Sequence, residues 1–161
     1  MSAIASFILI PKAALPELRT AAVPKKGWFG GTKDHFYGFL RQRGREVSHY
    51  EWSGFVIATL LVYLQQNRQI DLMKAQGDDL SAFLSEKRKG TWFALGAGHK
   101  NLYLAKLSPD SFSEPEMRDF YNKFNASNEA EIGKAMLDGV RSIRESLNAV
   151  EDDSVVLLNI G

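Results

Sequence analysis

The segment Ser154-Val-Val-Leu-Leu-Asn-Ile160 places four consecutive aliphatic residues directly after the turn residues Asp152 and Asp153. A short apolar run that is bounded by turn residues is typical of a strand buried on both faces. A strand this apolar must be covered, so we predict that it lies beside or near a second strand of the same kind. Ser6-Phe-Ile-Leu-Ile10, which Pro11 follows, has that pattern and is predicted to be central in the sheet.

Two further strands are predicted around a glycine-containing loop. Residues 91–95 and 101–107 are rich in aromatic and aliphatic side chains, and they flank Gly96-Ala-Gly-His-Lys100. This arrangement indicates a β-hairpin. Because Gly96-Ala-Gly98 would then precede a strand and not a helix, it lacks the context of a dinucleotide-binding fingerprint. The predicted sheet therefore has strands near residues 3–10, 91–95, 101–107 and 154–160.

Helical periodicity covers most of the remaining sequence. Residues 55–64 are apolar nearly all round, and we favour a helix because with Gln65-Gln66 the run exceeds the usual strand length; a strand is the alternative. Ser53 is the predicted N-cap of this helix, and Ser113 with Glu116 has the spacing of a capping box. Further helices are predicted over residues 13–22, 34–43, 78–87, 114–124 and 128–150. The fold class is α+β, with a small, mostly antiparallel sheet packed by about five to six helices.

Length and composition indicate a single globular domain over residues 1–161. The sequence is 45% apolar and 24% charged, which are ordinary fractions for a globular protein. It contains no cysteine, so disulfides, thiolate nucleophiles and cysteine-ligated metals are excluded, and a reducing, cytoplasmic compartment is favoured. Residues 3–10 lack the preceding basic residue of a signal peptide. The apolar run 55–64 is about half as long as a membrane helix, so no membrane association is predicted.

Opposite charges are concentrated in two blocks of the sequence. Residues 12–45 contain eight basic and two acidic side chains, and residues 110–153 contain eleven acidic and five basic side chains. The net charges of the two blocks are therefore +6 and −6. Such blocks either face each other across the fold or mark surfaces for partners of opposite charge.

The sequence contains three histidines, the residue type that most often serves as a general base or as a nitrogen ligand of a metal. His35, His49 and His99 are scattered and form no H-E-x-x-H or H-x-H pattern, so no metal and no cofactor are predicted. His49-Tyr-Glu51 places an imidazole and a carboxylate on one side of the chain if this segment is extended. His49 and Glu51 are therefore the candidate acid/base pair.

Cations and aromatic rings are interleaved between residues 25 and 45. Protein interfaces use this mixture for their anchoring contacts, and proteins that bind single-stranded nucleic acid use it for charge and stacking. The plain alternative is that the rings belong to the core and the cations are solvated. A protein partner of acidic character is preferred over nucleic acid, because the sequence has no nucleic-acid-binding motif and a net charge of only +1. The candidate partner-binding residues are Lys25, Lys26, Trp28, Phe29, Lys33, Arg41, Arg43 and Arg45.

The two ends of the sequence resemble a known family. The opening Met1-Ser-Ala-Ile-Ala-Ser-Phe-Ile-Leu-Ile10, followed by a predicted helix, resembles the start of the YfbM-like family of small uncharacterised bacterial proteins. The ending, a long predicted helix followed by Val155-Val-Leu-Leu-Asn-Ile-Gly161, is similar to the close of that family. Residues 44–124 show no such similarity, and the resemblance implies no settled activity. In its small size and mixed charge the chain also resembles bacterial toxin-neutralising immunity proteins.

These observations lead to three hypotheses about function. The favoured one is a non-enzymatic protein-binding domain of the inhibitor or immunity type. In the second, His49, Glu51 and Trp52 form the pocket of a small enzyme, in which Lys33 or Arg45 holds an anionic substrate. The third is binding of single-stranded nucleic acid, which predicts an affinity that falls steeply with salt.

Overall fold

Six strands form two sheets in the described part of this protein. The computed structural model describes residues 3–26, 30–76 and 79–161. In chain order the strands are β1 (Ala5–Pro11), β2 (Lys25–Lys26), β3 (Thr32–Lys33), β4 (Arg45–Ser48), β5 (Thr91–Leu95) and β6 (Ser154–Ile160). The main sheet has the order β4-β1-β6-β5 and is antiparallel throughout, while β2 and β3 form a separate hairpin.

Helices surround the main sheet, which confirms the α+β class. They are α1 (Leu15–Ala22), α2 (Phe36–Arg43), α3 (Gly54–Arg68), α4 (Leu80–Lys87), α5 (Ala97–Tyr103), α6 (Glu114–Asn125) and α7 (Ile132–Ala149). The helical prediction for residues 55–64 is confirmed by α3. Ser53 caps that helix, because its Oγ accepts a hydrogen bond from the N–H of Phe55 at 3.4 Å. Ser113 caps α6 in the same way.

β1 and β6 lie side by side at the centre of the main sheet. Seven residue pairs join them, from Ala5 opposite Ile160 to Pro11 opposite Ser154. This pairing confirms both the central position predicted for the first apolar strand and the place of the second strand beside it. The remaining strands, β4 and β5, form the two edges.

Alternate residues of β6 enter two different cores. Val156 and Leu158 pack with residues of α3, α6 and α7 on one face of the sheet. Val155 and Leu157 pack with residues of α1, α2 and α4 on the other face. Helices therefore cover both faces, which explains why this strand is apolar without alternation.

The strand predicted over residues 101–107 is wrong. This segment belongs to α5 and to a 3-10 turn over Leu104–Leu107, and β5 pairs with β6 instead. Its apolar residues also recur at helical spacing, which places Leu107 in the core and leaves Leu102 57% exposed. Gly96 is consequently the N-cap of α5, and Ala97 and Gly98 are the first residues of that helix.

Two further features complete the fold. β4 has no counterpart among the strands predicted from sequence, because its four residues include the charged Arg45 and Glu46. It pairs with β1, and the pairing has a register shift between Phe7 and Ile8.

Among the three described ranges, no helix combines the length and the apolar character needed to cross a membrane.

Two helical glycines, Gly133 and Gly38, have opposite surroundings. A Cβ on Gly133 in α7 would lie 2.3 Å from the carbonyl oxygen of Glu114 in α6, whereas a Cβ on Gly38 in α2 would meet nothing within 4 Å. We expect Gly133→Ala to lower the free energy of unfolding by about 1–3 kcal/mol, because the backbone of α6 must move. Gly38→Ala should raise it by about 0.5–1 kcal/mol, because alanine has the higher helix propensity.

Urea denaturation of the two variants beside the wild type measures both changes. The Gly38→Ala variant is the matched control, since it makes the same chemical change in an open position. A Gly133→Ala variant that is as stable as the wild type would contradict the close approach of α6 and α7.

Candidate functional site

A buried arginine, Arg88, holds the start of helix α2 in place. The guanidinium of Arg88, whose side chain is 6% exposed, donates to both carboxylate oxygens of Asp34, at 3.1 and 2.6 Å. The same carboxylate accepts a hydrogen bond from the N–H of Phe36, the first residue of α2. The hydrogen bonds from Arg88 hold the pKa of Asp34 below its ordinary value. Arg88 also lies over the ring of Phe36, so α2 is anchored to the end of α4.

The aromatic rings of the basic segment divide between core and surface. Phe36 is fully buried and packs edge-on against Trp92, with the ring centroids 5.4 Å apart. Tyr37, the next residue, is 47% exposed. Trp28 and Phe29, which the sequence analysis placed in the partner-binding surface, lie outside the described residues. The alternative in which the rings are core therefore holds for Phe36 and fails for Tyr37.

The other six predicted partner-binding residues are exposed cations on both sides of α2 in the chain. Three lysines lie on the β2–β3 hairpin before this helix, and three arginines lie at its end and at the start of β4. Within the described ranges, their side chains make no hydrogen bond and no ion pair. The six are Lys25, Lys26, Lys33, Arg41, Arg43 and Arg45.

Ion pairs among the described residues leave these cations available. Arg19 pairs with Asp79, and Arg88 pairs with Asp34, so the basic block is joined to the middle of the chain. Within the acidic block, Arg141 pairs with Asp138. Arg41, Arg43 and Arg45 are thus not matched by carboxylates of the late helices in the part of the chain that the structure describes.

A groove lies between α2 and the main sheet, beside Arg41. This α2 groove has a volume of about 410 Å³ and is lined by Ser6, Ile8, Tyr37, Leu40, Arg41, Gly44, Glu46, Trp92 and Asn159. Gly44 permits the close approach of α2 to β1, because a Cβ there would lie 2.5 Å from Cγ2 of Ile8. Apolar side chains are mixed in the lining with hydroxyls, an amide, the guanidinium of Arg41 and the carboxylate of Glu46, and a mixture of apolar and polar groups is typical of sites that bind polypeptide side chains.

A second, smaller groove lies where α1 meets α2 and the hairpin. It has a volume of about 310 Å³, and its lining includes Lys25, Lys33, His35 and Phe39. The predicted basic surface is therefore divided, with lysines facing this groove and Arg41 facing the α2 groove.

The candidate acid/base pair lies in a separate groove against α7. This α7 groove has a volume of about 280 Å³ and is lined by residues 49–52 and by Asp138, Arg141, Ser142 and Glu145. His49 and Glu51 are thus brought to one site, as the enzyme hypothesis requires. However, the cation that lines the groove is Arg141, and neither Lys33 nor Arg45 reaches it. The groove contains three carboxylates, those of Glu51, Asp138 and Glu145, and one guanidinium. It is therefore poorly suited to an anionic substrate.

Asp138 connects the two sides of the α7 groove. Its Oδ2 accepts a hydrogen bond from Nε1 of Trp52 at 3.1 Å, and its Oδ1 accepts one from Arg141 at 2.6 Å. Tyr50 donates to the carbonyl oxygen of Ala135 at 2.9 Å, and burial raises the pKa of Tyr50 above its ordinary value, so its hydroxyl stays a donor. These contacts attach the loop after β4 to α7.

Sequence reasoning missed the α7 side of this groove. Arg141 and Ser142 follow Asp138 by three and four residues, and Glu145 follows it by seven, so the four lie on one face of the helix. This polar stripe is present in the sequence of the predicted helix 128–150, but polar residues on one face of a helix do not by themselves indicate a groove. Nothing local indicated that residues 49–52 would lie opposite it.

His99 is the buried histidine, and both of its ring nitrogens are occupied. It is 1% exposed; Nδ1 accepts from the N–H of Gly96 at 3.2 Å, and Nε2 lies 3.0 Å from the carbonyl oxygen of Lys74. The neutral tautomer with its proton on Nε2 satisfies both partners. Burial lowers the pKa of His99 below its ordinary value. His99 therefore holds the segment before α4 against α5 and has no nitrogen free for proton transfer.

The cavity beside His99 has a volume of about 340 Å³. Three polar groups of its lining already have partners: His99, Lys12 Nζ, which donates to the backbone oxygen of Asp152, and Ser81 Oγ, which accepts from the N–H of Ala94. The cavity is accordingly part of the structural framework around α5.

No protein-family model, curated protein or solved structure matches this chain. The resemblance of its two ends to the YfbM-like family stays a prediction from the sequence. Its function is therefore argued from the grooves themselves. In residues 3–26, 30–76 and 79–161, no group of three or more histidine and carboxylate side chains is arranged to hold a metal ion.

The lowered pKa of His99 makes stability depend on pH. In the unfolded chain His99 has a pKa of about 6.5. Because the pKa is lower in the folded protein, the folded protein binds fewer protons than the unfolded chain at the same pH. The contribution of neutral His99 is therefore complete above about pH 6.5 and is lost as the pH falls below it. We expect the free energy of unfolding to decrease between about pH 7 and pH 5.5, and to decrease less in a His99→Gln variant.

Urea denaturation at closely spaced pH values measures this slope. His49→Gln is the matched control, because the His49 side chain is 76% exposed and should leave the slope unchanged. A wild-type slope that survives in His99→Gln would contradict the role assigned to His99.

Proposed function

We propose that this protein is a protein-binding domain that captures an acidic segment of its partner at the α2 groove. The observation that carries this proposal is Arg41, an exposed arginine whose side chain makes no hydrogen bond and no ion pair in the described ranges, in the lining of a groove that also contains the exposed Tyr37. Tyrosine and arginine are the residue types that most often anchor protein interfaces. Arginine also binds carboxylates through two parallel hydrogen bonds, which favours an acidic partner.

The rigid support of α2 strengthens this proposal. Arg88 and Asp34 fix the start of the helix, and the buried Phe36 fixes its inner face. Tyr37 and Arg41 lie four residues apart and therefore project from one side of the same helix. Side chains on a fixed element lose little conformational freedom when a partner binds, which raises affinity.

The exposure of the aromatic side chains in the basic segment favours a protein partner over nucleic acid. Sequence-independent binding of single strands uses several exposed rings on which successive bases stack. Among the described Phe and Tyr rings of the basic segment, Phe36 is fully buried, Phe39 is half-buried and Tyr37 is exposed. One exposed ring beside Arg41 fits a hot spot for a protein better than a stacking platform.

An inhibitor or immunity-type role is the form of protein binding that we favour. Such a protein acts by covering a surface of its partner, so it requires a stable binding face and no chemistry of its own. A chain without cysteine suits a reducing compartment, and we propose that the encounter takes place in the cytoplasm.

Photo-cross-linking in cells that express the protein tests the α2 groove. We expect Tyr37→p-benzoylphenylalanine to form a cross-link to a discrete protein, because this position faces the proposed partner. The same residue introduced at Leu102, an exposed apolar position on α5, is the matched control and should form no such product. Combining the probe with Arg41→Glu should reduce the yield about tenfold, because charge reversal in the lining of the groove repels an acidic partner.

The alternatives give different products. Cross-linking to RNA or DNA, with binding that weakens steeply as salt is added, would support the nucleic-acid hypothesis instead. Equal protein cross-linking from positions 37 and 102, or a yield that charge reversal leaves unchanged, would contradict the proposed surface.

A further inference from the structure

The α7 groove carries an excess of negative charge that the protein itself does not neutralise. Asp138 is paired with Arg141, but Glu51 and Glu145 are exposed and, in the described chain, their side chains make no ion pair and no hydrogen bond. The groove shares no lining residue with the α2 groove. It is therefore a separate surface whose charge has the opposite sign to that of the basic segment.

Ser142 provides an independent indication that a ligand belongs here. It lines the α7 groove and is only 5% exposed. A serine inside a helix commonly donates its hydroxyl proton to the carbonyl four residues earlier. The Ser142 hydroxyl makes no hydrogen bond to any part of the chain that the structure describes. The side chain is almost wholly enclosed, but its oxygen is not among the buried atoms that lack a partner and so stays accessible from the groove, where an entering polar group can bind it.

The arrangement of the carboxylates favours an organic cation over a metal ion. A metal ion requires several oxygen ligands within about 2.6 Å of one point. No group of three or more suitable side chains converges in this way among the described residues. Asp138 and Glu145 are instead seven residues apart, which separates their positions by about 10 Å along α7. An elongated ligand with a charged end matches this spacing.

Trp52 supplies the apolar surface that such a ligand needs. Its indole lines the groove and is oriented by the hydrogen bond from Nε1 to Asp138. Aromatic faces attract ammonium and guanidinium groups, and they also pack against the methylene chains that carry them.

We propose that the α7 groove binds a primary ammonium or guanidinium group on an alkyl chain. Glu145 and Glu51 pair with the cation, and the hydroxyl of Ser142 accepts one of its N–H hydrogen bonds. The alkyl chain lies against Trp52. A free diamine or a lysine or arginine side chain of a polypeptide carries this chemistry.

The side chain of Arg141 lies within this site. Its guanidinium donates to Asp138 at 2.6 Å, and its side chain is 54% exposed, so an incoming cation can displace it into solvent. Arg141 is therefore an internal competitor of the ligand. Removing it should strengthen binding, which a purely structural role of the groove does not predict.

Nuclear magnetic resonance titration of the full chain tests this proposal. The indole Nε1–H signal of Trp52, assigned with a Trp52→Phe variant, is followed while N-acetyl-lysine methylamide, N-acetyl-arginine methylamide or 1,4-diaminobutane is added. We expect a saturable shift with a Kd of about 0.1–10 mM for at least one of these probes, as befits a small ligand with few contacts. Sodium chloride and magnesium chloride at matched ionic strength are the controls.

Variants separate the contributions of the groove. Glu145→Gln and Ser142→Ala should each weaken binding about fivefold, because each removes one contact to the cation. Arg141→Ala should strengthen it about tenfold, because the competing guanidinium is gone. Glu86→Gln, which makes the same charge change at an exposed position on α4, should leave the affinity unchanged.

Each result decides the question. Tighter binding of the diamine identifies a free polyamine as the source of the cation, and tighter binding of an amino-acid amide identifies a polypeptide side chain. The proposal is overturned if no probe gives a saturable shift, if the salts shift the signal equally, or if Arg141→Ala weakens binding. None of these outcomes bears on cross-linking at Tyr37, so this proposal and the proposed function fail separately.

Discussion

Antiparallel pairing of β1 with β6 brings the two ends of the chain together and places both strands between two layers of helices. Seven residue pairs join the strands, and hydrogen bonds between Ile4 and Gly161 extend the ladder beyond them. Because both strands are apolar on both faces, neither face can be left to solvent. The helices must therefore divide into two groups, one on each side of the sheet.

This division decides which surfaces remain for function. The smaller helical layer includes α2, whose inner residues Phe36 and Leu40 belong to the core. Tyr37 and Arg41 are then left outside, and the Arg88–Asp34 pair holds the start of the helix that carries them. On the opposite face, α7 packs against the sheet by its apolar side, and its polar stripe meets the loop after β4. The basic and acidic blocks of the sequence thus contribute to two separate grooves.

Local patterns predicted most of the elements, and their failures have local causes. The α3 helix followed from a long apolar run with Ser53 as its cap, since both signals are contained in the segment. Residues 101–107 were misassigned because their apolar residues fit two periods, and tertiary packing selected the helical one. β4 was missed because an edge strand of four residues with charged side chains carries little strand signal.

The sequence by itself determined the two apolar strands, the capped helices, the exclusion of cysteine chemistry and the concentration of basic residues around α2, because each depends on residue type or short-range spacing. Only the tertiary structure decided what meets across the α7 groove. Trp52 and Asp138 are 86 residues apart, and their hydrogen bond exists because the main sheet brings the end of β4 to α7. The same packing selected Arg141 and not Lys33 or Arg45 as the cation beside His49. Contacts between distant segments depend on how whole layers pack, which no local pattern contains.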